Sequence, residues 1–239
     1  MVTTLIIAVA MLAVWMLCYK KSYDNPRHRK RITMWLGKYF PSNPKMVYYF
    51  LVFIIYLGLP ALFGWLLTKY ANVPFADVFT ISSTISPVYL IAVGFIGGVT
   101  MSIFATNLML AISPKMDIPN NINKVTWIQE TLVFPKRIVW IFPFLSAAAE
   151  EFFFRGACFF SLLAAGMPVI WAIAVVTVLF IANQVYLVDN AVQAAVIGAG
   201  SLFISIIGCL IVLITGSVFP SMIVHAVYAG FFVSSNDLF

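Results

Sequence analysis

The chain has 239 residues, 63% of them hydrophobic and only 9% charged, with a formal net charge of +6. Soluble domains are about 45–50% apolar and about 25% charged, so this balance excludes an ordinary water-soluble fold. The apolar runs far exceed the roughly 10-residue alternating strands of a membrane barrel, which leaves an all-α, polytopic transmembrane helix bundle.

Runs of spanning length fall at residues 2–19, 47–67, 88–112, 138–163, 169–187, 191–214 and 218–233. A spanning helix needs about 20 apolar residues, so about seven or eight helices are expected. The count stays open at the sixth run. It contains Gly198, Gly200 and Gly208 and reads either as one tilted helix or as two shorter ones. No Lys or Arg precedes the first run, and no small-residue cleavage site separates it from the basic cluster that follows. It reads as a retained transmembrane helix rather than a signal peptide.

Lys20, Lys21, Arg27, Arg29, Lys30, Arg31, Lys38 and Lys45 all lie between the first two runs, and no Lys or Arg follows Arg155. The cluster reads as a cytoplasmic positive-inside loop touching anionic lipid, not as a nucleic-acid surface. The N-terminus is therefore expected outside, in a bacterial inner membrane. The loop 69–86, with Lys69 and Asp77, suits the outer side. The loop 113–137, with Lys115, Lys124, Lys136 and Arg137, returns to the cytoplasm. Its stretch 117–123 is turn chemistry. Residues 125–132 predict a short amphipathic helix on the membrane surface, with Trp127 at the headgroup level. Cys18, Cys158 and Cys209 are too widely spaced for a zinc site or a disulfide framework and read as buried small apolar residues. The C-terminal stretch 235–239 carries no prenylation box, so the chain is not expected to be itself a prenylated substrate.

The chemistry concentrates in Glu150-Glu151-Phe152-Phe153-Phe154-Arg155, inside the fourth run. Ionised groups at a bilayer centre cost roughly 2.5–3.5 kcal/mol each on insertion scales, so such a cluster marks a functional site. On a helix Glu151 and Arg155, four residues apart, lie about 40° apart and can pair, while Glu150 points about 100° away from Glu151. That division leaves Glu150 without a local cation, the arrangement a general base requires. The competing reading is a lock that ties helices by ion pairs. Two carboxylates against one arginine leave a surplus negative charge that a lock does not need. His225 and the adjacent amides Asn183-Gln184 are the other intramembrane polar points. Helix–helix hydrogen bonding accounts for either.

Glu-Glu-x-x-x-Arg, then Phe-x-x-x-His, then His-x-x-x-Asn on successive helices is the pattern of the CAAX protease and bacteriocin-processing (CPBP, or Abi) family. It includes the type II CAAX prenyl endopeptidases. The chain resembles that family across roughly residues 138–234. Ala149 to Gly156 matches the first motif in full, and Thr215-Gly216-Ser217, Pro220 and His225-Ala226 resemble the approach to the last. Two positions depart: Gln184 stands where the family has a water-activating histidine, and Ala229 where it has an oxyanion asparagine. The resemblance implies that Glu150 is the base that activates water, that Glu151 and Arg155 support the site and grip substrate, and that His225 donates to the oxyanion. Gln184 can orient a water but cannot take its proton.

No cofactor or metal is expected. A zinc site usually needs three protein ligands, commonly His or Cys, and only Glu150, Glu151 and His225 could supply a weak set. Residues 1–137 read as N-terminal transmembrane helices with cytoplasmic basic loops, and 138–239 as the family-like core of one membrane domain. Two functions stay open. One is an intramembrane endopeptidase acting on a membrane-associated or lipidated peptide or protein, with Glu150, Gln184 and His225 at its centre. The other is a pseudoprotease that scaffolds other membrane-protein subunits. A different reaction in the same cavity, such as acyl or peptidyl transfer, is a third. Membrane lipid is a partner in each, and nucleic acid in none.

Overall fold

The computed structural model describes residues 1–235, so residues 236–239 of the tail read for a prenylation box lie outside the described residues. The helices in chain order are α1 (Val2–Asp24), α2 (Pro26–Leu36), α3 (Pro44–Tyr70), α4 (Pro87–Ile112), α5 (Ile118–Ile122), α6 (Thr126–Thr131), α7 (Ile141–Glu151), a π-helical segment (Phe152–Phe159), α8 (Phe160–Ala164), α9 (Val169–Tyr186), α10 (Ala191–Thr215) and α11 (Phe219–Ser235). No strand occurs among the described residues. The fold is an all-helical membrane bundle, as the composition demands.

Five helices, α1, α3, α4, α9 and α10, are each long and apolar enough to cross a membrane unaided. The sixth run is the single helix α10, ended by Gly216 at φ 74°, a left-handed cap that lets the chain turn at once into α11. The fourth run is a composite rather than one regular helix: α7, the π-segment and α8 follow without interruption. In a π-helix the backbone bonds shift to i→i+5 and the turn widens. Every side chain of the π-segment is buried. Phe152 lies against Gly64 of α3, where an added Cβ would fall 2.6 Å from the phenyl ring. Trp15 of α1 meets Tyr56 of α3 and Phe153 of the π-segment at centroid distances of 5.2 and 5.6 Å. These apolar contacts fix the composite helix at the centre of the bundle.

Polar ties join the loops at each end. At one end Lys20 Nζ donates to the Tyr186 carbonyl at 3.1 Å, and Arg29 Nη1 lies 3.3 Å from Glu130 Oε1. At the same end Thr126 Oγ1 donates to Asp189 Oδ2 at 2.9 Å, and Gln193 Nε2 to the Asn121 carbonyl at 2.8 Å. At the other end the Ser82 N–H donates to the Thr215 carbonyl at 2.8 Å, and the Val218 N–H to the Val78 carbonyl at 2.9 Å. The two basic loops thus share one end of the bundle and loop 69–86 the other, the alternation that the charge pattern requires. Cys158 and Cys209 are buried, but Cys18 is exposed on the outer face of α1, which corrects its reading as a buried residue.

Candidate functional site

Four helices bring the intramembrane polar groups together. Glu150 stands near the end of α7, Gln184 near the end of α9, His225 in the middle of α11 and Tyr56 in the middle of α3. Glu150 Oε2 accepts a hydrogen bond from Gln184 Nε2 at 2.7 Å, and Oε1 accepts from the Tyr56 hydroxyl. His225 Nε2 lies 3.9 Å from Glu150 Oε2. That is too far for a direct hydrogen bond and suits a water held between the two.

Glu151 and Arg155 form a layer behind. Both are fully buried, with Arg155 Nη1 2.9 Å from Glu151 Oε1. The contact is charge against charge, since no Arg155 nitrogen is aligned for a hydrogen bond. The guanidinium carbon sits 4.2 Å from the centroid of the Phe180 ring, a cation–π arrangement that offsets part of its desolvation. Glu151 Oε1 is also 3.0 Å from His225 Nδ1. As counter-ion to Arg155, Glu151 is an acceptor only, so His225 donates from Nδ1 and turns Nε2 toward Glu150. Gly208 of α10 completes the enclosure: a Cβ there would lie 3.3 Å from both Arg155 Nε and Glu151 Oε2.

Glu150, Gln184 and His225 line one cavity of about 130 Å³, together with Tyr56, Phe180, Tyr228 and Ala229. This is several times the space that one water needs. Elsewhere the walls are mostly apolar. Ile122 at the end of α5 and Trp127, Ile128 and Thr131 of α6 roof it. The short helix expected at 125–132 is therefore present, and its Trp127 lines the cavity. Glu151 and Arg155 do not line the cavity, because Phe180 and His225 stand in front of them. Both are fully buried, and Glu151 meets His225 from behind. Asn183 is buried away from the cavity and adds nothing to it. Among the described residues, no three His, Cys, Asp or Glu side chains are grouped as a metal site requires.

Tyr56 is the site residue that sequence reasoning missed. A tyrosine in mid-run carries a hydroxyl that must find a partner when buried, and that was the available signal. Tyr228, beside Ala229, also faces the cavity, but its hydroxyl is engaged. Ser102 Oγ donates to the Gly98 carbonyl at 2.8 Å, so the 2.7 Å contact between Tyr228 and Ser102 has the phenol as donor. Gly200 leaves room for this phenol: a Cβ there would fall 2.5 Å from the Tyr228 oxygen. Gly200→Ala is expected to displace Tyr228 and cost about 1–3 kcal/mol through overpacking. A lowered thermal midpoint of the detergent-solubilised protein, relieved by adding Tyr228→Phe, checks this.

Residues 133–231 match the family model of type II CAAX prenyl endopeptidases, Rce1-like. The matched segment contains Glu150, Glu151, Arg155, Gln184 and His225 but not Tyr56. No curated protein and no solved structure matches the chain significantly.

Proposed function

We propose that the chain, whose residues 133–231 match the Rce1-like family model of type II CAAX prenyl endopeptidases, is an intramembrane endopeptidase that hydrolyses a lipidated or membrane-associated peptide. The observation that carries this reading is the shared cavity, with a carboxylate and an imidazole nitrogen 3.9 Å apart on one wall. A water between Glu150 Oε2 and His225 Nε2 would be oriented by both. Glu150 takes one proton from it, the water oxygen bonds to the scissile carbonyl carbon, and the carbonyl π pair moves to oxygen as the oxyanion. Collapse of that intermediate expels the amine, which receives the proton held by Glu150. Because Nδ1 donates to Glu151, His225 donates to the oxyanion from Nε2 only as an imidazolium. The four-residue set is then balanced: Arg155 and His225 positive, Glu150 and Glu151 negative.

The basic end of the bundle is read as cytoplasmic, which puts the roofed mouth of the cavity on the cytoplasmic side, in a bacterial inner membrane. One observation favours a second reading, a catalytically impaired scaffold. Gln184 gives Glu150 an amide donor that takes no proton, and Ala229 offers the oxyanion nothing. The test is cleavage of internally quenched prenylated peptides by the reconstituted full chain. Slow cleavage is expected, rising about 100–1000-fold when Ala229→Asn adds an oxyanion donor and Gln184→His adds a proton-accepting ring. No cleavage by the parent or by the double variant would leave the scaffold reading standing.

A further inference from the structure

We propose that the outward face of α2 is a docking surface for anionic phospholipid headgroups and that Arg29 couples this surface to the roof of the cavity. The inference stands apart from the catalytic reading and concerns a different part of the molecule. Helix α2 has an Asn25 cap, whose side chain accepts from the His28 N–H at 3.0 Å, and Pro26 in its first turn. Its inner face is Leu36, buried, with Arg29 and Ile32 half-buried. Its outer face repeats at helical spacing as Arg27, Lys30, Arg31, Met34 and Trp35, all exposed. Tyr39 and Phe40 continue the apolar end of that face at 64% and 51% exposure. Cations at one end and bare aromatic and thioether groups at the other are what a helix at the headgroup boundary presents. No acidic residue occurs between residues 25 and 76 to neutralise it. Among the described residues, Arg29 with Glu130 is the ion pair that the α2 cations make.

That pair supplies the coupling. Arg29 reaches inward from α2, at 35% side-chain exposure, and lies 3.3 Å from Glu130 Oε1 and 3.5 Å from the Tyr49 hydroxyl. Glu130 belongs to α6, whose Trp127, Ile128 and Thr131 face the cavity. Another tie of α6 to the bundle is the Thr126–Asp189 hydrogen bond. A phosphate that engages the outer cations and reaches Arg29 competes with Glu130, so anionic lipid loosens a polar fastening of α6.

The test uses the full chain in nonionic detergent and in vesicles. Native mass spectrometry with equal phosphatidylglycerol and phosphatidylcholine should show preferential retention of phosphatidylglycerol. Each surface cation favours the anionic headgroup about fivefold. The Arg27→Gln, Lys30→Gln, Arg31→Gln variant, altered only at exposed positions, should lose most of that preference. In a Cys18→Ser, Thr131→Cys background, a water-soluble maleimide should react several-fold faster in vesicles containing phosphatidylglycerol than in phosphatidylcholine alone. With Glu130→Gln it should react fast in both. Equal retention of the two lipids, or a triple variant that keeps the preference, overturns the docking surface. Maleimide rates that ignore lipid while Glu130→Gln raises them overturn the coupling.

Discussion

Glu150→Gln is expected to lower peptide hydrolysis by about 100–10,000-fold while leaving the protein folded and peptide binding close to that of the parent. The substitution keeps the volume of the side chain and removes its capacity to hold a proton. Both partners of Glu150 are donors, the Tyr56 hydroxyl and the Gln184 amide. A glutamine at position 150 can accept from the Gln184 amide through its carbonyl and donate its own amide to the Tyr56 oxygen, so both contacts survive with the tyrosine contact reversed. The cavity walls are otherwise untouched, which is why binding should survive. The measurement is a single-turnover rate beside a binding isotherm for an uncleavable peptide. An unchanged rate would mean that Glu150 is not the base, and equal loss of rate and binding would mean that it shapes the cavity instead of activating water.

Glu151→Leu should act through stability. Arg155 is fully buried and Glu151 is its counter-ion at 2.9 Å. Removing one partner of a buried pair leaves the other charge uncompensated and typically costs about 3–5 kcal/mol. Replacing both by apolar residues of similar size is often neutral, so Glu151→Leu with Arg155→Met should recover most of the loss. The Phe180 contact limits the recovery, because the guanidinium that stacks on that ring is gone. Denaturant unfolding of the two single variants and the double variant yields the coupling directly. The rescued double variant should still hydrolyse slowly, since His225 Nδ1 has lost its acceptor. Full activity in that variant would show that Glu151 orients nothing.

Much of this architecture can be read from the residue order, because bilayer thickness and charge asymmetry act on long segments. The spanning runs and the alternation of loops follow from those two constraints. The Glu151–Arg155 pair follows from helical spacing, and Gln184 reaching Glu150 could be anticipated from the need of a buried amide for a partner. Three features could not be read in this way. The π-segment seats Phe152 on Gly64, a contact between residues 88 positions apart that no local pattern encodes. Trp127 suits an interface and a cavity wall equally well by chemistry, so its place is decided by where α6 is tied down. Tyr56 lies in a run rich in tyrosine and phenylalanine, where the one hydroxyl that meets Glu150 looks like its neighbours.

The π-segment also changes what kinds of genetic alteration the site can absorb. The wider turn accommodates more residues per revolution than the α-helices on either side, so the azimuth of everything downstream depends on segment length as well as composition. Swapping one buried phenylalanine for another apolar residue preserves that phase. Excising a single residue between Arg155 and Phe160 favours collapse to an ordinary α pitch and rotates α8 about its axis, although every charged letter of the motif is still present. Insertions and deletions here, more than conservative exchanges, are the changes that would put α8 out of phase with the Glu151–Arg155 layer.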